Sequence, residues 1–406
     1  MLFMKRILFP VFAFAFGITF TSCSKDGLST GERTSPDYSS SGGLMSGASS
    51  GGGSSSGGNA GNGNTQPGVI TAAEWNDLTN WDFWNSLLQR DTINTFPDVW
   101  GFYTTHRVSV TLKDAGNRLI NDAVINLECD GKTYTARTDN FGKAELFPGL
   151  FSKGFKLSGF SLRAVYNGQS FNLGLYNSSQ TNISKSIPVN KITNQTLDIL
   201  FVVDATGSMG DEISYLKTEL QDVVNRAGNE LTGTEIRMGS VFYRDNGDTY
   251  VTKPFDFTAN SGSLINFIKD QHADGGGDFP EAVDQALEVA TNDMQWSSNA
   301  INRLIFLVLD APPHDTQVEI SRVHDAVEKA QEKGIRIIPV SASGIDRSTE
   351  FILRFLSVST NSTYVFITND SGIGNPHLTP TVGNYTVEYL NNLMVRLIAK
   401  YGKNNN

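Results

Sequence analysis

The sequence predicts an α/β fold: a doubly wound, mostly parallel sheet over residues 196–402, preceded by a small all-β sandwich over 102–190. Three observations carry this. From about residue 196, apolar strand patterns alternate with amphipathic helical ones, which implies a parallel sheet with helices on both faces. Residues 102–190 hold only short alternating strands split by turn signals. The apolar run 197–203 ends on Asp204-Ala205-Thr206-Gly207-Ser208-Met209, and a helical pattern follows at once.

In chain order, residues 1–22 read as a targeting segment. Lys5 and Arg6 form a basic start, and the apolar stretch 7–20 is too short for a good spanning helix. Residues 23–70 read as a tether. Residues 36–66 are almost entirely Ser, Gly and Asn and bury too little surface to fold. About 40 flexible residues span roughly 35 Å. Residues 71–101 read as a connecting segment that holds four of the five tryptophans, Trp75, Trp81, Trp84 and Trp100. The spacing of Trp81, Trp84 and Leu88 predicts a short amphipathic helix that packs onto the domain following it.

In 102–190, residues 108–112 alternate, and Ile125, Leu127 and Cys129 share one strand face. Asp130-Gly131 and Asn167-Gly168 mark hairpins. About seven strands with regular turns make a sandwich. Cys129 is expected to be a small buried hydrophobe.

In the last part, strands are expected at 197–203, 236–243, 304–309, 335–340 and 364–367, with 250–257 as an antiparallel edge. Helices are expected around Ile213, Leu216, Leu220 and Val223, at 264–268, 282–290, 318–331 and 351–356, and at the closing face Leu390, Leu393, Met394, Leu397 and Ile398. The continuous apolar strand 304–309 belongs at the sheet centre.

Asp204, Thr206 and Ser208 sit at alternate positions beyond a strand tip. One carboxylate and two hydroxyls converging there suit a hard divalent cation, at the carboxyl edge where open α/β sheets bind ligands. Two further loops follow in order, Gly275-Gly276-Gly277-Asp278-Phe279-Pro280-Glu281 and Asp310-Ala311-Pro312-Pro313-His314. Helix-start electrostatics account for Glu281. Asp245 reads equally as a turn residue or a support to a ligand. His314 and His324 lack a zinc-ligand cluster.

These loops, with Tyr243-Arg244-Asp245, resemble the von Willebrand factor type A subgroup with Gly-Gly-Gly-Asp-x-Pro-Glu and Asp-Ala-Pro-Pro-His loops. The resemblance covers 196 to about 400 and implies a Rossmann-like fold with a metal-ion-dependent adhesion site. Its implied ligands are Asp204, Thr206, Ser208, Asp278 and Asp310, and its implied cofactor is Mg²⁺, with Mn²⁺ or Ca²⁺ as alternatives. Asp278 stands where the usual family has Thr. A third carboxylate would leave the cation less electrophilic toward a partner's acidic group. The run 138–144 resembles a carboxypeptidase-regulatory-like or transthyretin-like sandwich, in which those residues serve the turn. Phe20-Thr21-Ser22-Cys23 resembles a bacterial lipobox, which implies cleavage before Cys23, its acylation, and, with Ser24 next, residence at the outer membrane, facing the periplasm or the outside.

The net charge of −10 becomes −12 without Lys5 and Arg6, against nucleic acid and against adsorption to anionic lipid. No phosphate-binding loop or His-Glu-x-x-His occurs, and no nucleophile elbow sits at a strand-to-helix turn. The expected function is therefore metal-dependent binding of a protein or glycan by a lipid-anchored envelope protein, without catalysis. The alternative is an assembly component whose metal only stabilises the fold.

Overall fold

The computed structural model describes residues 66–405. The expected leader 1–22, Cys23 and nearly all of the tether lie outside the described residues. The described residues form one compact unit. Among the described residues, no helix is long and apolar enough to cross a membrane.

The described chain starts with β1 (Thr71–Trp75), α1 (Trp81–Leu87) and α2 (Phe96–Trp100). The sandwich strands follow: β2 (Val108–Lys113), β3 (Val124–Cys129), β4 (Lys132–Arg137), β5 (Lys143–Leu146), β6 (Gly159–Tyr166), β7 (Gln169–Asn177) and β8 (Asn182–Ser186). They form a three-stranded sheet, β5-β2-β8, and a four-stranded one, β4-β3-β6-β7. Both expected hairpins are present. Asp130 and Gly131 have φ of 49° and 72°, and Asn167 and Gly168 have 47° and 73°, as a two-residue turn between twisted strands requires. Ile125, Leu127 and Cys129 face the sandwich core together.

The α/β part is built from β9 (Thr196–Asp204), α3 (Ile213–Glu230), β10 (Glu235–Tyr243), β11 (Thr252–Thr258), α4 (Ser261–Lys269) and α5 (Val283–Glu288). It continues through β12 (Asn302–Leu309), α6 (Gln317–Lys333), β13 (Ile335–Ser341), α7 (Arg347–Ser359), β14 (Tyr364–Ile367), β15 (Val387–Tyr389) and α8 (Leu390–Gly402). The sheet order is β11-β10-β9-β12-β13-β14-β1-β15. Strands β10, β9, β12, β13 and β14 run parallel, and β11 is the antiparallel edge. The expected central strand, β12, is buried along its whole length. Leu200, Val202, Ile305 and Leu307 face one apolar layer with α5, α6 and α7. Ile199, Phe201 and Phe306 face the other, with α3 and α8. Helix α5 is shorter than its apolar pattern, because Val289–Asp293 widens into a π turn.

One feature departs from the sequence reading. The segment 71–101 is part of the α/β domain rather than a connector. β1 pairs antiparallel with both β14 and β15. Just before it, the backbone N–H groups of Gly68, Val69 and Ile70 donate to the buried carboxylate of Glu219 in α3, at 2.9–3.3 Å. The expected helix forms as α1, but the fully buried Trp84 packs against Phe351 and Phe355 of α7, with ring centroids 5.9 and 5.4 Å away. Its indole N–H is satisfied by Thr104. Burying such a ring contributes several kcal/mol.

The sandwich docks under the amino ends of the sheet strands. Asp122 holds Arg303 at the start of β12, Asp139 pairs with Arg336 in β13, and Asn140 accepts from the side-chain amide of Asn302. The turn 138–144 thus serves the domain contact as well as its own hairpin, where Asp139 accepts from the N–H groups of Phe141 and Lys143.

Candidate metal centre

The parallel strands β9, β10 and β12 end at one edge of the sheet, and their following loops meet there. β9 runs straight into Asp204, which is fully buried. The chain then leaves extended geometry for a tight 3-10 turn, Gly207–Asp211, before α3 begins. That turn folds Thr206 back, so its backbone N–H and its hydroxyl both donate to Asp204 Oδ1, at 2.9 and 2.7 Å. Thr206 Oγ1 lies 3.0 Å from Ser208 Oγ. Tyr243, the last residue of β10 and itself buried, donates to Asp204 Oδ2 at 3.3 Å.

The glycine loop is stitched to this turn through its backbone. Gly207 N–H donates to Gly275 O at 3.0 Å, and Asp274 N–H to Ala205 O at 3.1 Å. Gly276 has φ of 73° and leaves no room for a side chain: a Cβ there would sit 2.9 Å from Glu281 Oε1 and 3.3 Å from the Cβ of Thr206. Asp248 holds the loop from the other side, accepting from Gly276 N–H and Asp245 N–H. Glu281 N–H donates to Pro312 O at 2.9 Å and locks this loop onto the one after β12. His314, next in that loop, bonds Asp245 at 2.9 Å.

The structure thus brings Asp204, Thr206, Ser208 and Asp310 to one place. No hydrogen bond or ion pair among the described residues joins Asp278 to them. It is exposed and its charge acts on His314. Among the described residues, no three His, Cys, Asp or Glu side chains are arranged to hold a metal by themselves. The donor set is instead two buried carboxylates with two hydroxyls.

Glu281 is the residue that sequence reasoning missed. It is buried beside Thr206, and its Oε2 has no hydrogen-bond partner. A helix-start role explained it well enough in sequence. The available signal was the glycine pair ahead of it, which lets backbone approach a bulky neighbour.

The electrostatics are those of uncompensated charge. Burial, then the neighbouring Asp310, pushes the Asp204 carboxyl up to about 7. Burial pushes Asp310 up to about 6, against a hydrogen bond from Ser208. Burial and then Asp204 push Glu281 up to about 9. Asp310 Oδ1 is also buried without a partner. Carboxylates taken out of water without a cation or enough donors are costly. These orphaned oxygens and hydroxyls form an all-oxygen set that fits a hard divalent cation.

Residues 198–376 match the family model of the von Willebrand factor type A domain. The chain carries such a domain. Domains of this type mediate protein interactions and often bind a divalent metal. Over 118 residues, 29% of this chain, it is 36% identical to a putative ariadne-like RING finger protein of Acanthamoeba polyphaga mimivirus. Over 145 residues, 36% of the chain, it is 26% identical to an alpha-protein kinase of Dictyostelium discoideum. The matched parts span only 11% and 23% of those relatives. Among solved structures, a conserved hypothetical protein BatB from Bacteroides thetaiotaomicron aligns with a TM-score of 0.33 at 14% identity, over 50% of this chain and 96% of its own. In this type A domain, β1 and the residues after 376 complete the sheet beyond the matched segment.

Proposed function

We propose that the type A domain holds one divalent cation at the carboxyl edge of its sheet and binds a protein partner there, without catalysis. Asp204, Thr206, Ser208 and Asp310 would hold the cation, with Glu281 beside them. The observation that carries this reading is the pair of buried carboxylates, Asp204 and Asp310, pushed up to about 7 and about 6 with no cationic side chain to neutralise them. A bound divalent cation supplies that positive charge and offers open coordination positions to an oxygen of a partner. The chain's own residues set the geometry. Thr206 fixes the Asp204 rotamer, Tyr243 anchors its other oxygen, and the Glu281 backbone keeps the second and third loops together. The same reading places the protein in the bacterial envelope, acylated at Cys23, so that the domain works close to a membrane.

Calorimetric titration of Mg²⁺, Mn²⁺ and Ca²⁺ into the wild-type chain and into Asp204→Ala tests it. The expected result is one saturable site in the wild type and none in the variant. A folded wild type that takes up none of the three ions would end the proposal.

A further inference from the structure

We infer that the groove beside the outer strand β15 is a binding site for a neutral oligosaccharide. The groove has a volume of about 500 Å³. It is lined by Trp75 at the end of β1, by the turn that follows, and by the chain that leads into β15. Trp75 pairs with Tyr364, the first residue of β14, so the groove lies by the amino end of the sheet. Asp204 closes β9 at the opposite end. The groove shares no residue with the cation donors and is independent of them. A glycine shapes it. A Cβ on Gly383 would stand 2.7 Å from the Trp75 ring, so only bare backbone can cross the indole this closely.

Three observations select the ligand. The charges of the groove cancel. Arg396 pairs with Glu74 and Glu388, and Lys400 with Glu74, two bases against two acids, so no net field draws in an ion. The rest of the lining is rich in amides and hydroxyls. The side chains of Asn384 and Thr386 are exposed and have no hydrogen-bond partner among the described residues, and the amide oxygen of Asn80 makes no cap bond to α1. An amide both donates and accepts, and so does the sugar hydroxyl it would meet. The third observation is an aromatic platform. Tyr385 is 42% exposed, and Phe366 packs against it at 88° with ring centroids 5.0 Å apart. A ring whose plane is already held offers flat apolar surface at little ordering cost. Ligand pockets are usually apolar with a few polar groups. This one is polar and neutral, with one fixed ring, and it matches a molecule that carries hydroxyls around a face of C–H groups, as a pyranose does. An anion would find the guanidinium and the ammonium already engaged. An apolar peptide anchor would be buried against amides and ion pairs, without the dry pocket such anchors fill.

The test applies the full chain to a printed array of neutral glycans built from hexoses, pentoses and N-acetylhexosamines, with sialylated, sulfated and uronate-bearing glycans beside them. Neutral glycans should be retained, and calorimetry with the best of them free in solution should show one saturable site. Tyr385→Ala should weaken that binding about ten-fold through loss of the stacking face, and Asn384→Ala should weaken it as well. Both side chains are exposed, so either variant should fold like the wild type. Chelator and Asp204→Ala should leave the affinity unchanged. An array that retains no neutral glycan, retention of charged glycans alone, or binding that survives both Tyr385→Ala and Asn384→Ala would overturn the inference. Binding that disappears with chelator would put the glycan at the metal edge and overturn it equally. A chain that takes up no cation yet keeps the glycan retains this site and loses the metal one.

Discussion

The two ends of the sheet treat buried carboxylates in opposite ways. At the amino end each one has an arginine: Asp122 with Arg303, Asp139 with Arg336, and Asp77 with the fully buried Arg354. At the carboxyl end Asp204, Asp310 and Glu281 face one another with none. The same residue type therefore closes one end and leaves the other unsatisfied. The amino end is a finished contact between sandwich and sheet. The carboxyl end lacks a positive charge, and a cation from solution is the simplest way to supply it.

The largest effect should come from breaking a finished pair. Arg354 donates to both Asp77 oxygens at 2.6 and 2.9 Å and stacks over Trp84 at 5.0 Å. Arg354→Ala leaves the buried Asp77 with no cationic partner and only the Trp75 indole N–H as a side-chain donor, and should cost about 4 kcal/mol in urea denaturation. The carboxyl end should respond with the opposite sign. Without metal, Asp310→Asn relieves a like-charge contact and should stabilise the chain by about 2 kcal/mol. It should also abolish the rise in melting temperature that Mg²⁺ gives the wild type, whereas a destabilised metal-free variant would mean that the site is already compensated.

The pH dependence sharpens the contrast. An acid whose folded value is raised gives stability that is full below its unfolded value and lost as pH climbs through the folded one. For Asp204 that window runs from 3.8 to about 7. With chelator present, the wild type should melt lower at about pH 8 than at about pH 6, and Asp204→Asn should flatten the difference. In the sandwich, burial pushes Glu145 up, but Arg107 and Lys143 outweigh it and hold it below its ordinary 4.5. Its contribution is present above that value and is lost as pH falls below it. Replacing Glu145 by Gln should therefore reduce acid sensitivity while leaving the alkaline limb unchanged. The smallest effect belongs to Phe279, 44% exposed in the glycine loop. Phe279→Ala should shift stability by under about 0.5 kcal/mol, as read by urea denaturation.

Much of this was legible in the sequence because it is written locally. The parallel strands read as continuous apolar runs, the hairpins as Asp-Gly and Asn-Gly pairs, and the loop after β9 as a strand tip followed by a helix. What escaped depends on distant contacts. Nothing in Thr71-Ala72-Ala73-Glu74-Trp75 says that it pairs with Tyr364–Ile367, and its entry is fixed by Glu219 in another helix. Asp139 and Asn140 read as turn residues because they are turn residues, and their second task appears only with Arg336 and Asn302 in place. Glu281 had an adequate local explanation, and only its burial against Thr206 reveals another. Asp278 carried the metal reading by its place in a motif, yet the loop turns it outward.

Because β1 belongs to the α/β sheet, the sandwich is an insertion in that domain. It has two covalent attachments instead of one, and side-chain pairs across the seam between them. A module hung from a single linker swings, whereas one spliced in at both ends keeps its bearing. The sandwich sits under the amino end of the sheet, and Asp204 and Asp310 lie at the carboxyl end. The distance between the two is thereby set by the fold of the α/β domain and not by the length of a linker.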